Sequence, residues 1–232
     1  MKRRRALTVS AAAAATAAAA ACVQSKPVTP TTSAALTPPI TYAALGASDA
    51  AGVGVEDPQR DGWVQNLSRR LPQPTRLVNL GIPGVRLFEA LEVELAPALE
   101  AKPHLITIWL VVNDILTGIP LDRYRADLGR LLGELRRGTG AKIAIGNVPS
   151  APDSLPYLGL PPAERRVIAE TWNAAIAAAA AAHGATLVDL NRRWPLREHP
   201  EYIGPDRLHP TAAGYRSLAE TFHTVLTEER IV

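Results

Sequence analysis

The 232-residue chain is poor in several residue types, and each shortage excludes something. It has a single cysteine, Cys22, so it can form no internal disulfide and no cysteine-based metal site. Its stability has to come from an apolar core. Aromatic residues number four Trp, five Tyr and two Phe, which leaves few rings to stack on sugars and argues against a long polysaccharide ligand. No Gly-Lys-Ser/Thr follows the glycine-containing stretch 46–54, and the dinucleotide-binding glycine spacing is absent, so a nucleotide site has no support. A one-sided charge is lacking as well. The formal net charge of +3 rests on Lys2, Arg3, Arg4 and Arg5. Without those four residues, 21 basic face 22 acidic ones, a net of −1, and no nucleic-acid partner is expected.

What is present begins with an apolar, alanine-rich stretch, residues 6–21, after the basic start. It is short and weakly hydrophobic for a membrane-spanning helix and reads as an export signal. Cys22 follows Ala19-Ala20-Ala21, which resembles a bacterial lipoprotein signal whose cysteine is lipidated. Ala19 stands where leucine is usual, and ordinary cleavage at an Ala-x-Ala site is the other reading. Residues 1–22 are therefore expected to be a signal peptide. Residues 23–39, rich in Pro, Thr and Ser, are expected to be a solvated linker, and residues 40–232 one folded domain. Export to the cell envelope or the medium follows, with membrane contact only through an N-terminal lipid.

Strand and helix patterns alternate along the domain. Apolar strand patterns fall at 41–45, 75–80, 104–112, 141–146 and 185–190. Helical spacing falls at 61–71, 85–99, 121–137, 162–183 and 211–226. The run Leu105 to Val112 is too continuous for a sheet with one wet face. These features predict an α/β fold: a three-layer α/β/α sandwich on a five-stranded parallel sheet of flavodoxin-like order. In such sheets ligands bind beyond the carboxyl ends of the strands. Ser48 follows the first predicted strand, Gly84 the second and Asn113 the third, while Asp206 and His209 lie after the fifth. All are thus predicted at one end of one sheet.

These residue types suit acyl transfer. A serine needs an adjacent base to become a nucleophile. Of five histidines, only His209 has an aspartate three residues before it and Pro-Thr directly after. Asp206 can accept from one ring nitrogen, fixing the tautomer and stabilising the imidazolium. Asp189, at the end of the fifth strand, is the substitute carboxylate. Gly84 offers an N–H unobstructed by a side chain, and Asn113 an amide, as oxyanion donors. Asp114 reads as a helix or turn cap. Taken singly, each residue also has an ordinary structural reading as a cap or turn residue.

Together the segments resemble the SGNH hydrolases, also called GDSL esterases and lipases, from about Ala43 to Tyr215. The nucleophile block is matched by Gly46-x-Ser48-x-x-x-Gly52, the glycine block by Gly84, the asparagine block by Asn113, and the last block by Asp206-x-x-His209-Pro210. The resemblance implies a serine esterase acting on small-molecule or lipid esters, without metal or cofactor; the apolar residues of the loop after strand four point to acyl chains of short to medium length. Its catalytic residues would be Ser48, His209 and Asp206, and its oxyanion donors the Ser48 N–H, Gly84 N–H and Asn113 side chain. Two positions depart from the family pattern. Ala47 replaces the usual Asp, and Val111 replaces the Gly of Gly-x-Asn-Asp. A β-branched Val111 favours extended backbone and is expected to alter how Asn113 presents its amide. Leu155, Tyr157 and Leu158 in the loop after strand four, and Ile115 after Asn113, are candidate acyl-pocket residues. The other class compatible with this sequence is a non-catalytic, surface-anchored binding module on the same fold.

Overall fold

The computed structural model describes residues 39–150 and 159–232. Cys22, the 23–39 linker up to residue 38, and the pocket candidates Leu155, Tyr157 and Leu158 lie outside the described residues. Five strands form one parallel sheet: β1 (Ile40–Gly46), β2 (Thr75–Asn79), β3 (Leu105–Trp109), β4 (Lys142–Gly146) and β5 (Thr186–Val188), in the order β2-β1-β3-β4-β5. This is the expected flavodoxin-like order. The central strands are apolar on both faces because helices cover both. All five residues of β3 are buried, whereas β2 at the sheet edge is only partly so.

Between β1 and β2 lie α1 (Ser48–Ala51), α2 (Pro58–Asp61) and α3 (Trp63–Arg70). The crossover to β3 carries α4 (Leu87–Val93) and α5 (Leu95–Glu100). After β3 come α6 (Val112–Leu116) and α7 (Leu121–Gly138), then α8 (Pro162–His183) before β5. Last are α9 (Leu190–Arg193) and α10 (Ala212–Glu228). α3 packs on α10 on one face of the sheet, and α7 packs on α8 and α4 on the other. Trp63 stacks on Phe222 at 4.7 Å between centroids and meets Trp109 edge-on at 6.5 Å, tying the α3/α10 layer to the end of β3.

Three boundaries differ from the sequence pattern, each for a local reason. The helix expected over 85–99 is two helices that break at Glu94. Pro97 has no N–H for the Val93 carbonyl and its ring crowds it. The strand expected over 104–112 ends at Trp109. The Leu110 carbonyl instead accepts from the buried Tyr124 hydroxyl at 2.8 Å, and Val111, at φ −154° and ψ −40°, turns the chain into α6. β5 ends at Val188, and Asp189 starts α9. Among the described residues no helix is long and apolar enough to cross a membrane.

Candidate active site

The site lies beyond the carboxyl ends of β1, β2 and β3. β1 delivers Gly46, and Ser48 opens α1 directly after it. The turn is fixed from three sides. Asn79 at the end of β2 donates its side-chain N–H to the Ala50 carbonyl at 2.7 Å. The Tyr215 hydroxyl on α10 donates to the Val53 carbonyl at 2.5 Å. The fully buried Glu94, at the α4/α5 break, accepts from the Gly46 N–H at 3.0 Å.

The second half is the loop 204–210. It closes on itself: the Gly204 N–H donates to the His209 carbonyl at 2.8 Å and the Arg207 N–H to the Gly204 carbonyl at 2.9 Å, with Arg207 at φ 59°. Ile203 and Pro210 form an antiparallel bridge. Thr211 caps α10, its hydroxyl accepting from the Gly214 N–H at 3.2 Å. The two halves meet because Gly54, at φ 100°, has no side chain: a Cβ there would lie 2.9 Å from the His209 Cβ and 2.9 Å from the Pro210 carbonyl oxygen.

His209 thereby reaches Ser48 from 161 residues away. Its Nε2 lies 2.9 Å from the Ser48 Oγ and its Nδ1 2.6 Å from the Asp206 Oδ2. The other Asp206 oxygen accepts from the backbone N–H groups of Leu208 and His209, each at 3.0 Å. Burial works to raise the Asp206 pKa, but the Leu208 N–H, the His209 ring and the His209 N–H outweigh it and hold the carboxyl below the usual range. This ionised carboxylate favours the Nδ1-protonated imidazole, which leaves Nε2 to accept from the serine. Asp189 is engaged elsewhere, accepting from the Asn147 side chain at 2.9 Å.

The donors sit close by. Ile82-Pro83-Gly84-Val85 is a tight turn closed by Val85 N–H to Ile82 carbonyl at 3.2 Å, with Gly84 at φ 82° as the third position of a type II turn requires. Neither the Gly84 N–H nor the Ser48 N–H has an acceptor among the described residues. Asn113 falls in the first turn of α6, not in an open turn after the strand. It donates one amide N–H to the Val85 carbonyl at 2.9 Å, which couples the asparagine to the glycine turn and leaves its second N–H for the cleft. A cleft of about 40 Å³ lies among Ser48, Asp49, Asn113 and His209, walled by Val85, Trp109, Val111, Val112, Leu208 and Pro210. Ile115, a candidate pocket residue, is instead 5% exposed in the hydrophobic core beneath α6 and is not part of the cleft wall. The Asp114 carboxylate is a cap, but for a distant helix: it accepts from the Leu87 N–H at the start of α4.

Asp49 and Glu94 were not singled out from sequence. Burial pushes the Asp49 carboxyl up to about 6 against the Ala50, Asp49 and Ala47 N–H groups and the charge of His209, all of which lower it. Burial and then the nearby Asp49 push Glu94 up to about 8, against the Gly46 N–H. Glu94 did leave a signal: it lies seven residues after Leu87 and three after Leu91, an acid on the apolar stripe of its helix. Among the described residues no group of three or more His, Cys, Asp or Glu is placed to hold a metal ion.

Comparison with known proteins adds to this geometry. Residues 44–217 match the model of the GDSL-like lipase/acylhydrolase family. The crystal structure of TesA superposes with a TM-score of 0.64 at 26% identity, covering 83% of this chain and 99% of that one. The psychrotrophic esterase EstA from Pseudoalteromonas sp. superposes with a TM-score of 0.64 at 20% identity, over 82% of this chain and 98% of that one. An acetyl xylan esterase, AlAXEase, does so at 0.65 and 17% identity, over 81% and 100%. The last two likenesses speak for the fold alone. No curated protein sequence matches the chain.

Proposed function

Because this chain belongs to the GDSL-like lipase/acylhydrolase family and is a hydrolase of that kind, we propose that it is a serine esterase that cleaves carboxylic esters of short to medium acyl chains. The observation that carries the reading is the His209 ring, which bridges the Ser48 Oγ at 2.9 Å and the Asp206 Oδ2 at 2.6 Å. A structural histidine has no need of a serine on one nitrogen and an ionised carboxylate on the other. That arrangement suits a base that must take up a proton and return it.

The steps follow from the positions. The Ser48 Oγ attacks the ester carbonyl carbon while the His209 Nε2 removes its proton. The Asp206 carboxylate, hydrogen-bonded to Nδ1, stabilises the imidazolium formed. Negative charge gathers on the former carbonyl oxygen, where the Ser48 N–H, the Gly84 N–H and the second N–H of Asn113 are free to donate. Collapse of this intermediate breaks the carbon–oxygen bond to the alcohol, which leaves with the proton from His209. Water then enters, gives a proton to His209 and attacks the acyl-serine. The same donors hold the second oxyanion until the acid departs and Ser48 regains its proton.

A fluorophosphonate is the direct test. It should label the wild-type protein covalently at Ser48 and leave Ser48→Ala unlabelled. Correctly folded wild type that resists the probe would overturn the esterase reading.

A further inference from the structure

Gly46 joins the two halves of the reaction machinery, and a side chain holds it. Its N–H, at the end of β1, donates to the Glu94 Oε2 at 3.0 Å. Its carbonyl accepts from the N–H of Ile82, the first residue of the Gly84 turn, at 3.1 Å. A Cβ on Gly46 would lie 2.6 Å from the Ala50 Cβ, so the strand end and α1 meet with no slack between them. A shift at Gly46 therefore reaches Ser48 two residues on and the Gly84 donor across the site.

Glu94 does this from an unusual place. It is fully buried at the α4/α5 break, and its Oε1 has no partner among the described residues. The neighbouring charge that acts on it is Asp49, directly after Ser48. On its own helices Glu89 is paired with Arg86, while Glu92 and Glu100 are exposed. α7 packs on both helices, and its Asp127 and Glu134 are each paired with an arginine of α7. β1 also packs on α5, and its Tyr42 is bonded to Thr107 and kept neutral by burial. Burial and then Asp49 push Glu94 up to about 8, whereas Asp49 itself is pushed up to about 6. Near neutral pH the pair thus carries one proton, and Glu94 holds it.

We propose that Glu94 is a positioning residue of the reaction that works in its protonated form, and that its ionisation beside Asp49 lowers turnover on the alkaline side. The inference rests on the serine-esterase reading. Neutral Glu94 fixes Gly46, and through it Ser48 and the Gly84 turn. Ionised Glu94 adds a second buried negative charge next to Asp49. Like charges so placed repel, which strains the hold on Gly46. The new charge also lies on the serine side of the site, where the substrate's carbonyl oxygen must itself become negative. His209 gains little in exchange, because the charge that acts on its ring from behind the turn is that of Asp49. A histidine base alone gives only an acid limb, since it works when neutral. Glu94 adds an alkaline one.

The experiment measures kcat and KM of the purified full chain on nitrophenyl butyrate across the alkaline range, with the uncatalysed rate subtracted and circular dichroism confirming the folded state at each pH. Wild-type kcat should fall with a one-proton slope, about tenfold per pH unit above a midpoint near 8, with KM nearly constant. Glu94→Gln keeps an oxygen for the Gly46 N–H and has no proton to lose, so its kcat should show no alkaline limb. A wild type that reacts with fluorophosphonate yet keeps a flat alkaline kcat would overturn this role of Glu94 and leave the esterase reading intact. The same limb in folded Glu94→Gln would do so as well. A chain that neither turns over the ester nor takes the label at any pH would overturn the esterase reading, and this inference with it.

Discussion

The loop 204–210 and the region behind the Ser48 turn hold the same chemical group in opposite settings. In the loop, Asp206 keeps 48% of its side chain in solvent, accepts two backbone N–H groups and the His209 ring, and is held below the usual carboxylate range. Behind the turn, Glu94 is fully buried with one N–H on one oxygen and no partner for the other among the described residues. Asp114, 1% exposed, accepts from the Leu87 N–H and from its own backbone N–H, yet is pushed up to about 6, chiefly by burial. The lesson is one of division. The wet side carries the charge that the imidazolium needs. The dry side uses carboxyls as acceptors for backbone N–H groups, and protonation relieves the cost of burying their charge.

The largest expected effect breaks the comparison on its wet side. Asp206→Asn removes the charge while keeping the shape, and it should lower kcat by about 10³–10⁴-fold, as loss of the orienting carboxylate does in serine-histidine-aspartate enzymes. Thermal unfolding should barely change, because the residue is exposed. Asp189→Asn is the control, since that carboxylate serves Asn147. A larger loss of activity at Asp189 in a well-folded enzyme would reverse the assignment. Next in size is Asn113→Ala, which removes one donor from the oxyanion and one from the Val85 carbonyl. Turnover should fall on the order of 10²-fold. A loss confined to KM would instead mark Asn113 as a ground-state binding residue.

The same division explains what could be read from sequence. Asp206 and His209 are three residues apart, so their pairing was legible from one short segment. The sheet was legible too, because the unbroken apolar run of β3 demands cover on both faces. What was not legible depends on partners far along the chain. Glu94 finds its N–H at Gly46, 48 residues earlier, and Asp114 finds Leu87, 27 residues earlier. Neither spacing follows from a local rule. Asn113 falls between these cases. Its place after the third strand was readable, but α6 was not, since a β-branched residue at 111 argues for continued extension and only the ψ of −40° reveals the turn. The sequence pattern carries one helix through Pro97 as far as residue 99, but the break falls at Glu94, because the proline leaves the Val93 carbonyl without a donor.

The smallest expected effect tests the dry side, and it turns on sign. A carboxyl whose pKa is raised by folding stabilises the fold when it carries its proton. That stability is complete below the unfolded value, 4.5 for a glutamate, and is lost as pH rises through the folded value of about 8 for Glu94. Asp49 and Asp114 act with the same sign, but both are pushed up only to about 6, so most of their share is gone by pH 7. The window from pH 6.5 to 8.5 therefore isolates Glu94. Wild type should lose on the order of 2 kcal/mol of unfolding free energy across it, from about 1.4 kcal/mol per pH unit for one proton. Glu94→Gln keeps an oxygen for the Gly46 N–H and has no proton to lose, so its urea midpoints should be nearly flat over that window. The variant should then overtake wild type at the alkaline end. An equal slope in both proteins would mean that Glu94 is already ionised at neutral pH, and that the dry side carries charge as the wet side does.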